Sequence, residues 1–164
     1  MAGHLEFKGI VADQGEVLFY RRCRFMTELP KRYRYTASHF WLSPTERPEV
    51  WRIGFTKFAV RMLGDFVDLQ MDIRPGDAVR AGQEIGSYEG LKAVTSLYCV
   101  MDGILDRTNP ALAGGGELVQ AEPYSAGWLY EVRGLPDPAQ TDVFGYISIL
   151  DGIIDKLAVR HNEE

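Results

Sequence analysis

The composition of this 164-residue chain is that of an ordinary soluble globular protein of about one domain. Apolar residues make up 46% and charged residues 25%, and no run approaches the ~20 apolar residues that a membrane-spanning helix requires. The net charge of −5 argues against nucleic acid as the main partner, because phosphate binding needs basic clusters. The first residues match neither a signal peptide nor a transit peptide, so we expect a cytoplasmic protein without a membrane partner.

The N-terminal third of the chain predicts a hairpin, a connecting stretch, a strand and a short helix. Residues 9–20 contain two strand-like runs around Asp13-Gln14-Gly15, which predicts a hairpin. A connecting stretch then runs to Pro30. Residues 51–55 alternate like a strand, and Thr56 is a good N-cap for a helix of about two turns that Gly64 ends.

Two basic segments, residues 21–24 and 31–34, interrupt this region. One interpretation is a solvated strand edge that covers the sheet, since charged edges discourage aggregation between strands. The other is a docking surface for an acidic protein partner, which complementary charge would attract. The residues leave both interpretations open.

The central part of the chain is dominated by short strands and turns. Strands are predicted at residues 66–71, 84–88, 103–105 and 128–132, with turns at 75–77 and 81–83 and one helical turn at 110–112. Glu89-Gly90-Leu91-Lys92 predicts a tight bend, after which residues 93–98 lead back. Many short strands with frequent turns are typical of a small barrel or sandwich.

Near the C-terminus the hydrophobic period changes from that of strands to that of a helix. An apolar stripe predicts an amphipathic helix over residues 142–159, docked on the sheet through Val143, Ile147, Leu150, Ile154 and Leu157. We therefore predict three parts: an N-terminal hairpin extension (1–32), a central domain (33–134) and a C-terminal helix packed on that domain (135–164).

No pattern in the chain predicts a catalytic or metal site. Cys23 and Cys99 form no C-x-x-C pair, and the three histidines are far apart in sequence. Gly114-Gly115-Gly116 has no following lysine and is interpreted as a flexible loop. We predict a non-catalytic protein without metal ligands.

Lys92 is the residue that points to a function. The chain has five lysines, and Lys92 alone lies at a predicted bend between two strands. An accessible lysine at such a position can be acylated, and the acylated side chain becomes a tether that raises the local concentration of its cargo. The competing interpretation is an ordinary surface lysine.

The residues around Lys92 resemble a known family. One stretch of the chain looks like the biotinyl/lipoyl hammerhead domain. The similar positions are the run from Pro75 to Gly86, the segment Glu89-Gly90-Leu91-Lys92-Ala93 and the later residues 97–98 and 102–105. Further similarities place the chain near the glycine cleavage H-protein family over residues 33–134; they lie at residues 35–41, 53–59, 63–65, 109–112, 118–119, 123–124 and 127–129.

This resemblance implies a mainly β lipoyl hammerhead (a barrel-sandwich hybrid) with short flanking helices. It implies lipoate, amide-linked to Lys92, as a covalent cofactor, and Glu89 as a residue that the lipoate-attaching enzyme recognises. The implied partners are glycine decarboxylase, aminomethyltransferase and dihydrolipoyl dehydrogenase, between which an aminomethyl group is shuttled. A biotin carrier would have Met on both sides of the lysine, whereas this chain has Leu91 and Ala93.

Two alternatives remain beside a carrier for glycine cleavage. The family usually has Ser and Val or Ile where this chain has Gly90 and Leu91, and residues 1–32 have no counterpart in an ordinary member. The chain is therefore also compatible with an H-like lipoate-binding paralogue that carries sulfur or another cargo, as in heterodisulfide-reductase-like sulfur oxidation. An unmodified H-like scaffold or binding module is the second alternative.

Overall fold

The computed structural model describes the backbone of residues 7–163 and the side chains of residues 7–158. Within that range the strands are β1 (Ile10–Asp13), β2 (Val17–Arg22), β3 (Phe25–Pro30), β4 (Arg34–Tyr35), β5 (Phe40–Pro44), β6 (Val50–Phe55), β7 (Phe66–Met71), β8 (Ala78–Val79), β9 (Glu84–Gly90), β10 (Val94–Tyr98), β11 (Met101–Thr108) and β12 (Tyr130–Pro136). The helices are α1 (Lys57–Leu63), α2 (Glu117–Ala121) and α3 (Val143–Glu163), and a 3-10 turn spans Pro110–Leu112.

Two sheets enclose the main hydrophobic core. One has six strands in the order β4-β5-β6-β12-β11-β8, and the other has three in the order β10-β9-β7. Ile85, Tyr88 and Leu97 from the smaller sheet pack with Ile53 and Val132 from the larger one, all at 0% exposure. This arrangement confirms the predicted mainly β fold with flanking helices.

A third sheet, β1-β2-β3, forms a second core together with α3. The hairpin prediction is confirmed for β1 and β2, but the connecting stretch predicted up to Pro30 is wrong, because Phe25–Pro30 is a third strand. Its residues alternate between buried and exposed, so one face packs inward. Tyr20 and Leu29 are fully buried.

The basic segments of this N-terminal sheet are partly neutralised inside the fold. Arg22 pairs with Asp155 on α3, and Lys31 pairs with Asp13 on β1 at 2.6 Å. Two of the basic side chains in these segments are therefore paired within the fold, and both interpretations of the segments stay predictions.

Helices α1 and α3 follow their sequence patterns, except at one apolar residue of α3. Thr56 caps α1 by accepting the N–H of Ala59, and Gly64 ends it, as predicted. In α3 the first four residues of the predicted stripe are buried, but Leu157 is 38% exposed and does not belong to the packed face. Helix α2 was not predicted, and the last strand begins at Tyr130 rather than at Trp128.

Candidate functional site

The Lys92 loop, defined as residues 91–93, joins two antiparallel strands at one end of the smaller sheet. Glu89 at the end of β9 lies opposite Val94 at the start of β10. The N–H of Gly90 donates to the carbonyl oxygen of Ala93 at 2.9 Å and closes the bend. The predicted position of Lys92 between two strands is confirmed.

Two further hydrogen bonds fix the Lys92 loop to the end of α1. The N–H of Leu91 donates to the carbonyl oxygen of Asp65, and the N–H of Lys92 donates to that of Leu63, each at 2.9 Å. The backbone of Lys92 is therefore held by residues almost thirty positions earlier in the chain. Its side chain is exposed, so a rigid support presents a free amine.

Two glycines make this close approach possible. A Cβ atom at Gly90 would collide with the carbonyl oxygen of Leu63, and one at Gly64 would lie 2.8 Å from Cγ of Lys92. Gly64 also has φ +80°, a conformation that side chains disfavour. The glycine between Glu89 and Lys92 is thus explained by the packing of this loop against α1.

Exposed apolar residues flank Lys92 along the chain, and its ammonium has no ion-pair partner among residues 7–158. Leu91 is 74% and Val94 67% exposed. Within residues 7–158 the Lys92 ammonium forms no ion pair, whereas Lys8 pairs with Asp155 and Lys31 with Asp13.

Glu89 is exposed on the strand that leads to Lys92. It lies opposite Asp68 of β7 in the sheet register, so two carboxylates are neighbours on this surface. Glu89 and Lys92 form no ion pair with each other in the part of the chain that the structure describes. The carboxylate of Glu89 is therefore available to a partner.

A groove of about 470 Å³ runs beside Lys92 along α1. Its walls are formed by Lys57, Val60, Arg61, Gly64, Asp65, Leu91, Lys92 and Gln120. Gln120 on α2 fixes the groove, because its amide donates to Asp65 at 2.8 Å and accepts the N–H of Phe66 at 3.1 Å. A second groove of about 330 Å³ shares Lys57 and Gln120 and reaches the N-terminal sheet.

Sequence reasoning missed Lys57 and Gln120 as parts of this site. Gln120 belongs to a five-residue helix that begins without a side-chain cap, so no local pattern announced it. Lys57 is the first residue of a correctly predicted helix, but only the fold brings it beside Lys92.

Trp128 and Tyr124, two aromatic residues in the segment that precedes the last strand, have different environments. Trp128 is 6% exposed and belongs to the second core. Tyr124 lines the second groove, where its hydroxyl accepts the N–H of Lys57 at 3.0 Å and lies 3.3 Å from Oγ1 of Thr27. Burial raises the pKa of Tyr124 to about 12, so its hydroxyl is neutral at physiological pH.

The described residues contain no group of three or more His, Cys, Asp or Glu side chains arranged to hold a metal ion. None of their helices is long and apolar enough to cross a membrane. Cys23 is exposed and Cys99 buried, and both are free thiols.

Comparison with known proteins gives a consistent result. Residues 33–142 match the family model described as glycine cleavage H-protein. The chain is 35% identical over 135 residues to the glycine cleavage system H protein of Mycobacterium tuberculosis, covering 82% of this chain and 96% of that protein. It is 37% identical over 108 residues to the Mycobacterium leprae protein of the same name, covering 66% and 80% respectively.

A solved structure shows the same similarity in three dimensions. The crystal structure of a glycine cleavage system H protein from Mycobacterium marinum superposes with a TM-score of 0.66 at 31% sequence identity. The superposition covers 73% of this chain and 97% of that one. The N-terminal sheet lies before the residues that the family model matches.

Proposed function

We propose a lipoyl-carrier function for this chain, which belongs to the glycine cleavage H-protein family. In this proposal lipoate is attached through an amide to Nζ of Lys92, and the protein acts in the cytoplasm. The observation that carries the proposal is the Lys92 loop, whose backbone is bonded to α1 while the lysine side chain remains exposed.

The residues present fit a lipoyl group. Acylation removes the charge of a lysine, and at Lys92 this breaks no ion pair with any residue from 7 to 158. Of the other lysines, Lys57 and Lys156 lie on helices, where no bend presents them. The exposed Glu89 is the residue that we assign to recognition by the lipoate-attaching enzyme.

The protein's own contribution is to hold and present the cofactor. When bound, the lipoyl dithiolane would supply the redox and group-carrying chemistry for an aminomethyl group, which the chain itself does not perform. The proposed partners are glycine decarboxylase, aminomethyltransferase and dihydrolipoyl dehydrogenase. The groove beside Lys92 offers Val60 and Leu91 as apolar contacts for the arm.

Lipoylation in vitro by a lipoate-attaching enzyme tests this proposal. We expect one lipoyl group per chain, none on the Lys92→Arg variant and an unchanged amount on Lys57→Arg. Lys57 is the matched control because it is exposed and lines the same groove. Glu89→Gln should slow attachment without changing its site, and modification of the Lys92→Arg variant would contradict the assignment.

The cargo is tested on the lipoylated chain. Incubation with glycine and a glycine decarboxylase should load an aminomethyl group that an aminomethyltransferase then removes. A lipoylated chain that is never loaded would contradict the glycine-cleavage cargo while leaving the carrier function intact.

A further inference from the structure

A group of arginines surrounds a buried carboxylate on the larger sheet, away from the Lys92 loop. We call this the arginine cluster and define it as Arg47, Arg52 and Arg107 around Glu131. In the sheet register Glu131 of β12 lies opposite Arg52 of β6 on one side and Arg107 of β11 on the other. Side chains at such cross-strand positions are direct neighbours.

The Glu131 carboxylate holds these guanidinium groups in place. Its side chain is 1% exposed, and Nη2 of Arg52 and Nη2 of Arg107 each donate to Oε1 at 3.0 Å. Arg47 donates to Oε2 at 3.3 Å. Burial alone would raise the pKa of the Glu131 carboxyl. The hydrogen bonds and positive charges of Arg107 and Arg52 outweigh this effect, so the pKa lies below its usual range.

Trp128 adds a second restraint on the same arginines. The guanidinium carbon of Arg52 lies 4.5 Å from the centre of the Trp128 ring, and that of Arg107 lies 5.2 Å from it. Stacking and ion pairing together fix two long side chains that would otherwise lose conformational entropy on binding a ligand. The arginine cluster is thus preorganised.

The donors in this cluster are not used up by Glu131. Each guanidinium has five N–H donors, whereas both carboxylate oxygens are already bonded. Within residues 7–158, Nη1 of Arg52 and both Nε and Nη1 of Arg107 make no hydrogen bond to protein. Donors without protein partners therefore remain on fixed guanidinium groups.

These groups line a polar cavity of about 560 Å³, which is the size of a small-molecule site. Its remaining walls are formed mainly by Tyr33, Ser43, Thr45, Glu46, Tyr124 and Ser125. The hydroxyl groups of Tyr33, Ser43 and Thr45 donate to backbone carbonyl oxygens, so the arginines supply the unused donors. Behind the cavity, Asp106 pairs with Arg47 and Arg133. The three arginines of the cluster and Arg133 carry four positive charges, and Glu46, Asp106 and Glu131 carry three negative ones. The region therefore has one surplus positive charge on a chain whose net charge is −5.

From this geometry we infer that the arginine cluster is a binding site for the oxyanion of a small ligand, either a carboxylate or a phosphate group. Fixed guanidinium groups that keep unused N–H donors are the groups that bind such oxyanions. The site is independent of Lys92, so it would bind its ligand whether or not the carrier function is correct.

The test is a titration of the full chain with inorganic phosphate and, separately, with acetate at constant ionic strength. Side-chain Nε–H signals of arginine and the indole N–H signal of Trp128 are followed by NMR. We expect saturable shifts of Arg52, Arg107 and Trp128 with at least one anion, and the anion that binds more tightly identifies the ligand group. Absence of saturable shifts with both anions would overturn the inference.

Two variants locate the binding. Ser125→Asp places a negative charge at the cavity without touching the arginines and should raise the apparent Kd about threefold to tenfold. Ser148→Asp makes the same charge change on the exposed face of α3 and should leave the Kd unchanged. Arg107→Gln should weaken binding further while the melting temperature shows that the chain is folded.

The Lys92→Arg variant separates this inference from the proposed function. It should bind the anion as the unaltered chain does, even though it cannot be lipoylated. Equal Kd values for the unaltered chain, Ser125→Asp and Arg107→Gln would place the anion elsewhere and overturn the inference.

Discussion

Asp151 on α3 joins the N-terminal sheet to the rest of the protein, and its replacement by alanine should be costly. The buried carboxylate accepts three hydrogen bonds, from the Tyr20 hydroxyl at 2.6 Å and from the N–H groups of Lys8 at 2.8 Å and Gly9 at 3.2 Å. Tyr20 is fully buried, so its hydroxyl would lose its partner without gaining water.

The magnitude follows from these contacts. A hydrogen bond to a charged group contributes about 1.5–3 kcal/mol, and an unpaired buried hydroxyl costs about 1–3 kcal/mol. The two backbone donors are only partly buried and contribute less. We therefore expect Asp151→Ala to lower the free energy of unfolding by about 3–5 kcal/mol, which lies within the sum of these contributions.

The assay is urea denaturation followed by circular dichroism, with Asp155→Ala as the matched control. Asp155 lies one helical turn further along α3 and also faces the N-terminal sheet, but its side chain is 27% exposed and its partners Lys8 and Arg22 are also in contact with water. Its replacement should have a smaller effect, because ion pairs that water reaches contribute less and no buried donor loses its partner. Equal losses for the two variants would refute the reasoning that burial of Asp151 makes its hydrogen bonds important.

Three further predictions concern the core, the pH dependence and the Lys92 loop. Leu150→Ala should cost about 2–5 kcal/mol in urea denaturation because Leu150 is fully buried, whereas Leu157→Ala on the same helix should cost far less. Burial lowers the pKa of His39 from 6.5 to about 4. Between these two pH values the imidazole is protonated in the unfolded chain but not in the folded one, so the free energy of unfolding decreases as the pH falls from 6.5 towards 4. His39→Asn should reduce this decrease by about 3 kcal/mol. The measurement compares the free energies of unfolding of the two proteins at pH 6.5 and at pH 4, and an identical pH dependence would contradict the prediction. Gly90→Ala should displace the Lys92 loop and slow lipoylation, while Gly114→Ala, where a Cβ meets nothing within 4 Å, should not; equal rates would show that the contact with α1 is unimportant.

Elements with strong local patterns could be predicted from the sequence. Helix α1 combines an N-cap at Thr56, an apolar face and a terminating glycine at Gly64, and all three lie within nine residues. Helix α3 shows its period over several turns, and this pattern predicts a start at residue 142, one residue before the observed Val143. The bend at Lys92 was predicted because glycine and the flanking strand residues mark it locally.

Elements that depend on distant residues could not be predicted. Strand β3 has an alternating pattern, but its inward positions include the polar Thr27, whose hydroxyl lies 3.3 Å from the hydroxyl of the distant Tyr124. Helix α2 is too short for a periodic pattern and is stabilised by Val119, which is fully buried.

The contacts that shape the two sites are likewise distant in the chain. The Lys92 loop is hydrogen-bonded to the backbone of Leu63 and Asp65. Glu131 contacts Arg52, which lies 79 positions earlier in the chain. No local pattern reveals such pairings, because they follow from the topology of the sheets.

The modification state of Lys92 in the native host is the most direct test of the central claim. The protein should be purified from that host, its intact mass measured and its proteolytic peptides sequenced by mass spectrometry. We predict a single lipoyl adduct on the peptide that contains Lys92 and none on peptides that contain the other four lysines. An unmodified intact mass in cells that lipoylate their other carriers, or an adduct on Lys57 or Lys156, would contradict the account.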